Sequence, residues 1–346
     1  MLSFVWIMSI VLSAISLLVM TLLILRRVVL QRRAKEDARM RQRLLQALIA
    51  FSEDKDAETL NSVIRSVPPR IAIDGGFEFL GLLRGEEYAR IIEIFAESGL
   101  PIHIATQLMK GNEAARIHAA EMLAAFSPDT GTAHLFTALD NDRSREVRIA
   151  AAISLCDLGA MPPLPGVLRK IGVRGQRSRR LVELFRRVPA ERMGELKDLA
   201  AKQDGSPFVR AAAIEALSPA QDHELADFFR RSAKDPSSDV SGAAIRALGR
   251  LADRDSGDIV TEAMASKDWE VRADAAEAAG RIGTTELIDP LARLLDDDAW
   301  TVRYAAAKAM RLIAPQGDEM LREIASSQTS RSQRTASLVL NEGFAS

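Results

Sequence analysis

Apolar and polar positions alternate along most of this chain with the period of an α-helix, and the helical segments themselves recur. A valine–arginine pair followed by an alanine-rich run marks each recurrence: Val147-Arg148, Val209-Arg210, Val271-Arg272 and Val302-Arg303. Val240-Ser241 is the same unit with the arginine lost. The step between valines is 31 residues or twice that, and Arg334 falls in register one unit later. A repeat of this length predicts stacked helical hairpins, each burying its apolar stripe against its neighbours. Helical pairs are expected over 86–110, 113–139, 144–170, 175–202, 206–234, 237–266, 268–296 and 299–325, with a closing helix near 330–341. Asp142, Asp204, Asp235 and Asp297 each stand five residues before their unit's valine, where a carboxylate can accept free N–H groups at a helix start. Gly159, Gly249 and Gly283 fit the turn after a first helix. The repeated arginine is expected to pair with an aspartate of its own or the next turn, forming a ladder that fixes the stacking.

Ahead of the repeats the pattern differs. Residues 1–25 carry no charged side chain, then Arg26 and Arg27 end the run. At about 1.5 Å per residue such a helix would span roughly 37 Å, enough for a ~30 Å hydrocarbon layer. Eight basic residues against two acidic ones follow between Arg26 and Arg43, a net charge of +6. That asymmetry predicts a single-pass anchor with its N-terminus outside and the bulk of the chain cytoplasmic at the cell membrane. A cleaved signal would instead place the basic cluster first and end in a small-residue cleavage site. Arg26, Arg27, Arg32, Arg33 and Lys35 are candidates to touch lipid head groups.

The expected organisation is therefore an anchor over 1–25, a basic juxtamembrane helix over 26–52, an irregular N-terminal cap over 53–85 and a solenoid over 86–346. Pro68-Pro69 and Gly75-Gly76 suggest that 67–77 is an irregular joint. The fold class is all-α: an α-solenoid of helical hairpins preceded by one transmembrane helix.

The spacing D-x-x-x-x-V-R-x-x-A-x-x-A-L, as in Asp204 to Leu217, resembles the short HEAT-like repeat of phycobilisome-lyase type. The resemblance covers about residues 86–340 and is strongest over 140–325. It implies a fold shared by bilin lyases, scaffolds and adaptor proteins, without carrying over any one binding site. Hydroxylases built on HEAT-like repeats hold two irons with several His-Glu pairs. This chain has one such dipeptide, His223-Glu224, so that activity is not implied.

Composition narrows the chemistry. One cysteine, Cys156, excludes an intrachain disulfide and a multi-cysteine zinc site. It sits at an inward position and reads as a small buried thiol. His103, His118, His134 and His223 lack i, i+4 pairing, although His118 and His134 lie on successive helices of one hairpin. No phosphate loop or nucleophile motif is present, so no cofactor, metal or catalytic residue is expected.

Two features rise above this background. Arg169, Lys170, Arg174, Arg177, Arg179, Arg180, Arg186, Arg187 and Arg192 face two acidic residues in one irregular repeat, a net charge of +7. Such a patch suits an acidic protein surface or lipid head groups, or forms a solvated face. Nucleic acid would have only Phe185 to stack on there. Trp269 and Trp300 stand 31 residues apart, each two before its valine. They read either as staples on the following helix or as an aromatic partner-binding strip. The function these features support is a membrane-tethered, non-enzymatic scaffold for a membrane-associated protein partner with an acidic surface, with no small-molecule substrate. A lyase or chaperone-like enzyme acting on a prosthetic group, and nucleic-acid binding through the arginines, are the alternatives.

Overall fold

The computed structural model describes residues 2–173, 178–220, 223–327 and 331–342; the side chains of residues 2–15, Arg33 and Ala220 lie outside that description. Among the described residues the fold is all-α, with 20 α-helices and short 3-10 turns. The chain divides into two compact units, residues 1–147 and 148–346.

Helix α1 (Leu2–Asp54) opens the first unit and is continuous across the boundary expected near residue 25. At ~1.5 Å per residue it is about 80 Å long. Its C-terminal third is fixed by Leu44, Leu48 and Phe51, all buried against α2 (Ala57–Ser66) and α3 (Pro69–Leu80). Its earlier part is bare: Leu17, Leu18, Met20, Leu22, Leu23, Leu25 and Leu30 are all more than half exposed. Among the described residues no helix is long and apolar enough to cross a membrane.

The joint expected over 67–77 is irregular only at Val67 and Pro68 and helical from Pro69 on. Pro69 occupies the first position of α3, where its missing N–H costs nothing. Gly75 and Gly76 lie inside the helix because of what they face: a Cβ on Gly76 would sit 2.4 Å from the Phe95 ring. The glycines make room for α1 and for α4 (Glu86–Glu97) to come close. Helices α5 (Leu100–Lys110), α6 (Glu113–Leu123) and α7 (Pro128–Asn141) complete the stack of this unit.

The second unit begins within α8 (Arg145–Asp157), followed by α9 (Leu164–Ile171), α10 (Arg179–Arg186) and α11 (Met193–Ala201). Four regular pairs follow. Their first helices are α12 (Pro207–Leu217), α14 (Ser238–Leu251), α16 (Trp269–Ile282) and α18 (Trp300–Leu312). Their second helices are α13 (Ala226–Ser232), α15 (Gly257–Ala263), α17 (Ile288–Leu294) and α19 (Gln316–Ser326); α20 (Arg331–Asn341) packs on α18 and α19. Ala213, Ala244, Ala275 and Ala306 are fully buried, because each first helix packs between its neighbours in the stack and against the helix that precedes it in the chain. Small side chains permit that approach and favour the helix as well.

Gly249 plays a different part from the expected C-terminal turn. It lies inside α14, where an added Cβ would stand 2.7 Å from Ala278 Cα. Gly280 repeats this contact against Ala309 one unit later. The left-handed residue that ends α14 is Ala252 (φ 50), whereas Gly159 and Gly283 take that role as expected. Gly249 and Gly280 therefore set the spacing of α14, α16 and α18.

Candidate partner-binding face

The repeated arginines are structural. Arg272 Nε and Nη2 donate to Asp297 at 2.6 and 2.9 Å, and Nη1 donates to the Ser266 carbonyl at 2.9 Å. Asp297 in turn accepts the Ala299 N–H at 2.8 Å. One guanidinium thus closes the end of one helical pair and grips the turn that opens the next. Arg210–Asp235 and Arg116–Asp142 repeat the arrangement, with both side chains at most one-tenth exposed. The pairing is with the aspartate of the following unit, 25 or 26 residues on. Where Ser241 replaces the arginine, Ser266 stands at the corresponding acidic position, so both halves of the rung are absent together. The hydrogen bond from Arg272 holds the Asp297 carboxyl below the usual aspartate range.

With those arginines accounted for, one face of the first helices remains to be explained. The 31-residue register stacks side chains in rows across α12, α14, α16 and α18. One row reads Pro207, Ser238, Trp269, Trp300; the next reads Phe208, Asp239, Glu270, Thr301. The floor is Ala211, Gly242, Ala273 and Tyr304. Beyond it come Glu215, Arg246, Glu277 and Lys308, and at the far rim Pro219, Arg250, Arg281 and Leu312. Carboxylates lie at the N-terminal rim of this face and arginines at the C-terminal rim.

Between α10 and α16 the face opens into a cleft of about 540 Å³. Arg246 bridges its middle, donating to Glu215 at 2.5 Å and to Asp274 on the next helix. Gly242 makes room for this bridge, since a Cβ there would lie 3.0 Å from Asp274 Oδ2. Burial pushes the Asp274 carboxyl up to about 6, against the pull of Arg246. Burial lowers the Arg246 guanidinium, but Asp274 and Glu215 more than offset it and leave it raised.

The structure sorts the expected site residues. Arg169 and Lys170 lie exposed in the last turn of α9. Arg179 lines the cleft, and Arg180 follows it on α10. Arg187 is tied to Asp157 at 2.5 Å, and Arg192 to Glu195 and the Met161 carbonyl, so both serve the fold. Arg174 and Arg177 lie outside the described residues. Arg186 is exposed and sits close enough to Arg250 that its charge, with those of Arg246 and Arg281, joins burial in lowering the Arg250 guanidinium. Arg250 donates to Ser218 Oγ at 2.7 Å. The cluster expected within 169–192 therefore extends to Arg250 and Arg281. Their 31-residue spacing was the available signal, but they stand outside the valine–arginine motif.

Phe185 is fully buried and offers no ring for base stacking. Trp269 and Trp300 are 45% and 54% exposed, and Trp300 packs on its own helix as a staple would. Trp300 stacks on Tyr304 with centroids 5.0 Å apart. Arg26, Arg27, Arg32 and Lys35 project from the bare part of α1, and the Arg33 side chain lies outside the described residues. Cys156 is buried, its Sγ 2.7 Å from the Arg187 carbonyl, and burial raises its pKa. Among the described residues no three His, Cys, Asp or Glu side chains gather around a possible metal position.

These features define a helical-repeat array with a charge-segregated face. Residues 225–311 and 258–338 match the family model for HEAT repeats, so the C-terminal third of the chain carries those repeats, and the fold as a whole is HEAT-like. No curated protein sequence matches the chain. Among solved structures, it is similar to an engineered protein (19% identity, 86% of this chain and 98% of that one, TM-score 0.37). It is similar to the CpcE–CpcF complex of phycocyanin lyase from Nostoc sp. PCC7120 (18% identity, 69% and 93%, TM-score 0.35). It is also similar to Kap121p bound to Pho4p (15% identity, 88% and 39%, TM-score 0.44). Likeness at these scores carries no argument about function.

Proposed function

We propose that the protein is a membrane-tethered, non-enzymatic scaffold that holds a protein partner with an acidic surface at the cytoplasmic face. The observation that carries the binding half is the C-terminal rim, where the register places Arg250 and Arg281 one repeat apart and exposed Arg186 stands on α10, packed against α12. Guanidiniums gathered on one edge repel one another, and an acidic partner relieves that repulsion while being steered to the site. The tether rests on the charge-free run over 1–25, the basic cluster after it and the bare apolar side chains from Leu17 to Leu30. Because α1 continues into the first unit without a break, a single helix joins the anchor to that unit. Confinement near the bilayer raises the local concentration of neighbouring membrane proteins, so a weak surface suffices.

The test is affinity purification of the full chain from membranes solubilised in an uncharged detergent. A stable partner should co-purify with the native chain and be lost from the triple substitution R186E/R250E/R281E. Equal recovery with that variant would refute the rim as the binding surface. Extraction by carbonate at high pH, without detergent, would refute the tether.

A further inference from the structure

We propose that the opposite rim of the same face binds a segment carrying two lysine or arginine side chains three positions apart. This rests on the face being a docking surface but not on the arginine rim itself. The rim is built from Trp269 and Trp300, at the first positions of α16 and α18 and both about half exposed. Repeated in register on adjacent helices, the two side chains leave a half-exposed aromatic strip, with one side of Trp300 resting on Tyr304. Their surroundings set the charge of what covers it: Asp239, Asp268 and Glu270 line the cleft beside Trp269. Asp298, two residues before Trp300, is almost fully exposed and already accepts from the Arg331 guanidinium at 2.9 Å. The chain already seats one ammonium on this strip, since Lys308 Nζ lies 5.4 Å from the Tyr304 ring centre while Trp300 stacks against that ring. Aromatic faces attract cations, and neighbouring carboxylates strengthen the effect. An acidic segment would meet carboxylates here and be rejected.

The spacing follows from the stack. Adjacent packed helices have axes about 8–10 Å apart. A segment in the polyproline II conformation rises about 3.1 Å per residue with three residues per turn, so cationic side chains at i and i+3 share one face about 9 Å apart and reach Trp269 and Trp300 together.

The experiment uses the full chain in an uncharged detergent with Trp6→Phe, so that Trp269 and Trp300 report alone. A hexapeptide with two arginines three apart is titrated against tryptophan emission, with its glutamate analogue as control. A saturable change with a sub-millimolar Kd is expected for the arginine peptide, and none for the glutamate one. Binding should weaken at least tenfold in W300A and in D239N/E270Q, and persist within twofold in W300F. It should also persist within twofold in R186Q/R250Q/R281Q, which separates this rim from the acidic-partner site. Unchanged affinity in W300A would overturn the proposal. So would equal binding of the glutamate peptide, or emission that follows protein concentration alone, which would mean a second copy covers the strip.

Discussion

Replacing Arg272 with methionine removes one rung of the ladder and leaves its partners in place. Asp297 keeps the Ala299 N–H but loses two charged hydrogen bonds at a site where its side chain is only 8% exposed. The Ser266 carbonyl loses its donor as well. Stranding a half-satisfied carboxylate and a carbonyl costs about 3 kcal/mol, at the lower end of the range for breaking a buried pair. For a unit of about 200 residues, each kcal/mol is worth roughly 2–4 °C, so melting should fall by about 6–12 °C. Arg322→Ala provides the contrast: its guanidinium is 64% exposed and 3.6 Å from Asp318, and the change should cost less than about 0.5 kcal/mol. The assay is thermal unfolding of the full chain followed by circular dichroism, run as a cycle of R272M, D297N and the double variant. The double variant should be at least ~1 kcal/mol better than the sum of the singles. Asp297 has a depressed folded pKa, so its contribution is present above the unfolded value near 4 and is lost as pH falls through the folded one. The native advantage over D297N should therefore shrink under acid. A fall below 1 °C for R272M, or strict additivity in the cycle, would refute the ladder as a stabilising device.

Other outcomes follow from named contacts. Gly280→Val would push side-chain atoms into Ala309, where even a Cβ lies 2.8 Å from the backbone, and should cost about 1–3 kcal/mol or more in unfolding by denaturant. Asp274 has a raised folded pKa, so its stabilising share is present below the unfolded value and lost as pH rises through about 6. Asp274→Asn should consequently raise stability by about 1–2 kcal/mol at pH 8 and change little at pH 4, checked by melts at both. Cys156→Ser places a more strongly polar hydroxyl in a buried site facing the Arg187 carbonyl, and should leave partner recovery intact while lowering the melting temperature by a few degrees.

The repeat was legible in the sequence because stacking imposes one rule on every unit. Valine and alanine positions are buried for the same reason each time, so the 31-residue step locates all the helical pairs from 86 onward. Glycine was the ambiguous letter. Gly75, Gly76 and Gly249 read as breaks by conformational freedom, yet they sit inside helices because a neighbour needs the space of a missing Cβ. That requirement depends on Phe95 and Ala278, far away in sequence, and no local pattern reveals it. The candidate face was half visible. Trp269 and Trp300 stand out by register, and the arginines of 169–192 by density. Arg250 and Arg281 were hidden because neither is dense in sequence; folding α10 beside the later first helices gathers them with Arg186. Conversely Arg187 and Arg192 belong to the dense cluster but are spent on Asp157 and Glu195.

The central claim is that one face of the first helices in the second unit is the working surface of a membrane-held protein. Photocrosslinking in intact membranes tests it most directly, with a benzophenone amino acid placed at Glu277 or Lys308 on that face, or at Asp289 on second helix α17. All three positions are exposed, so access is equal. The account predicts one shared protein adduct from positions 277 and 308 and none from 289. Adducts from all three alike, or from 289 alone, would contradict it.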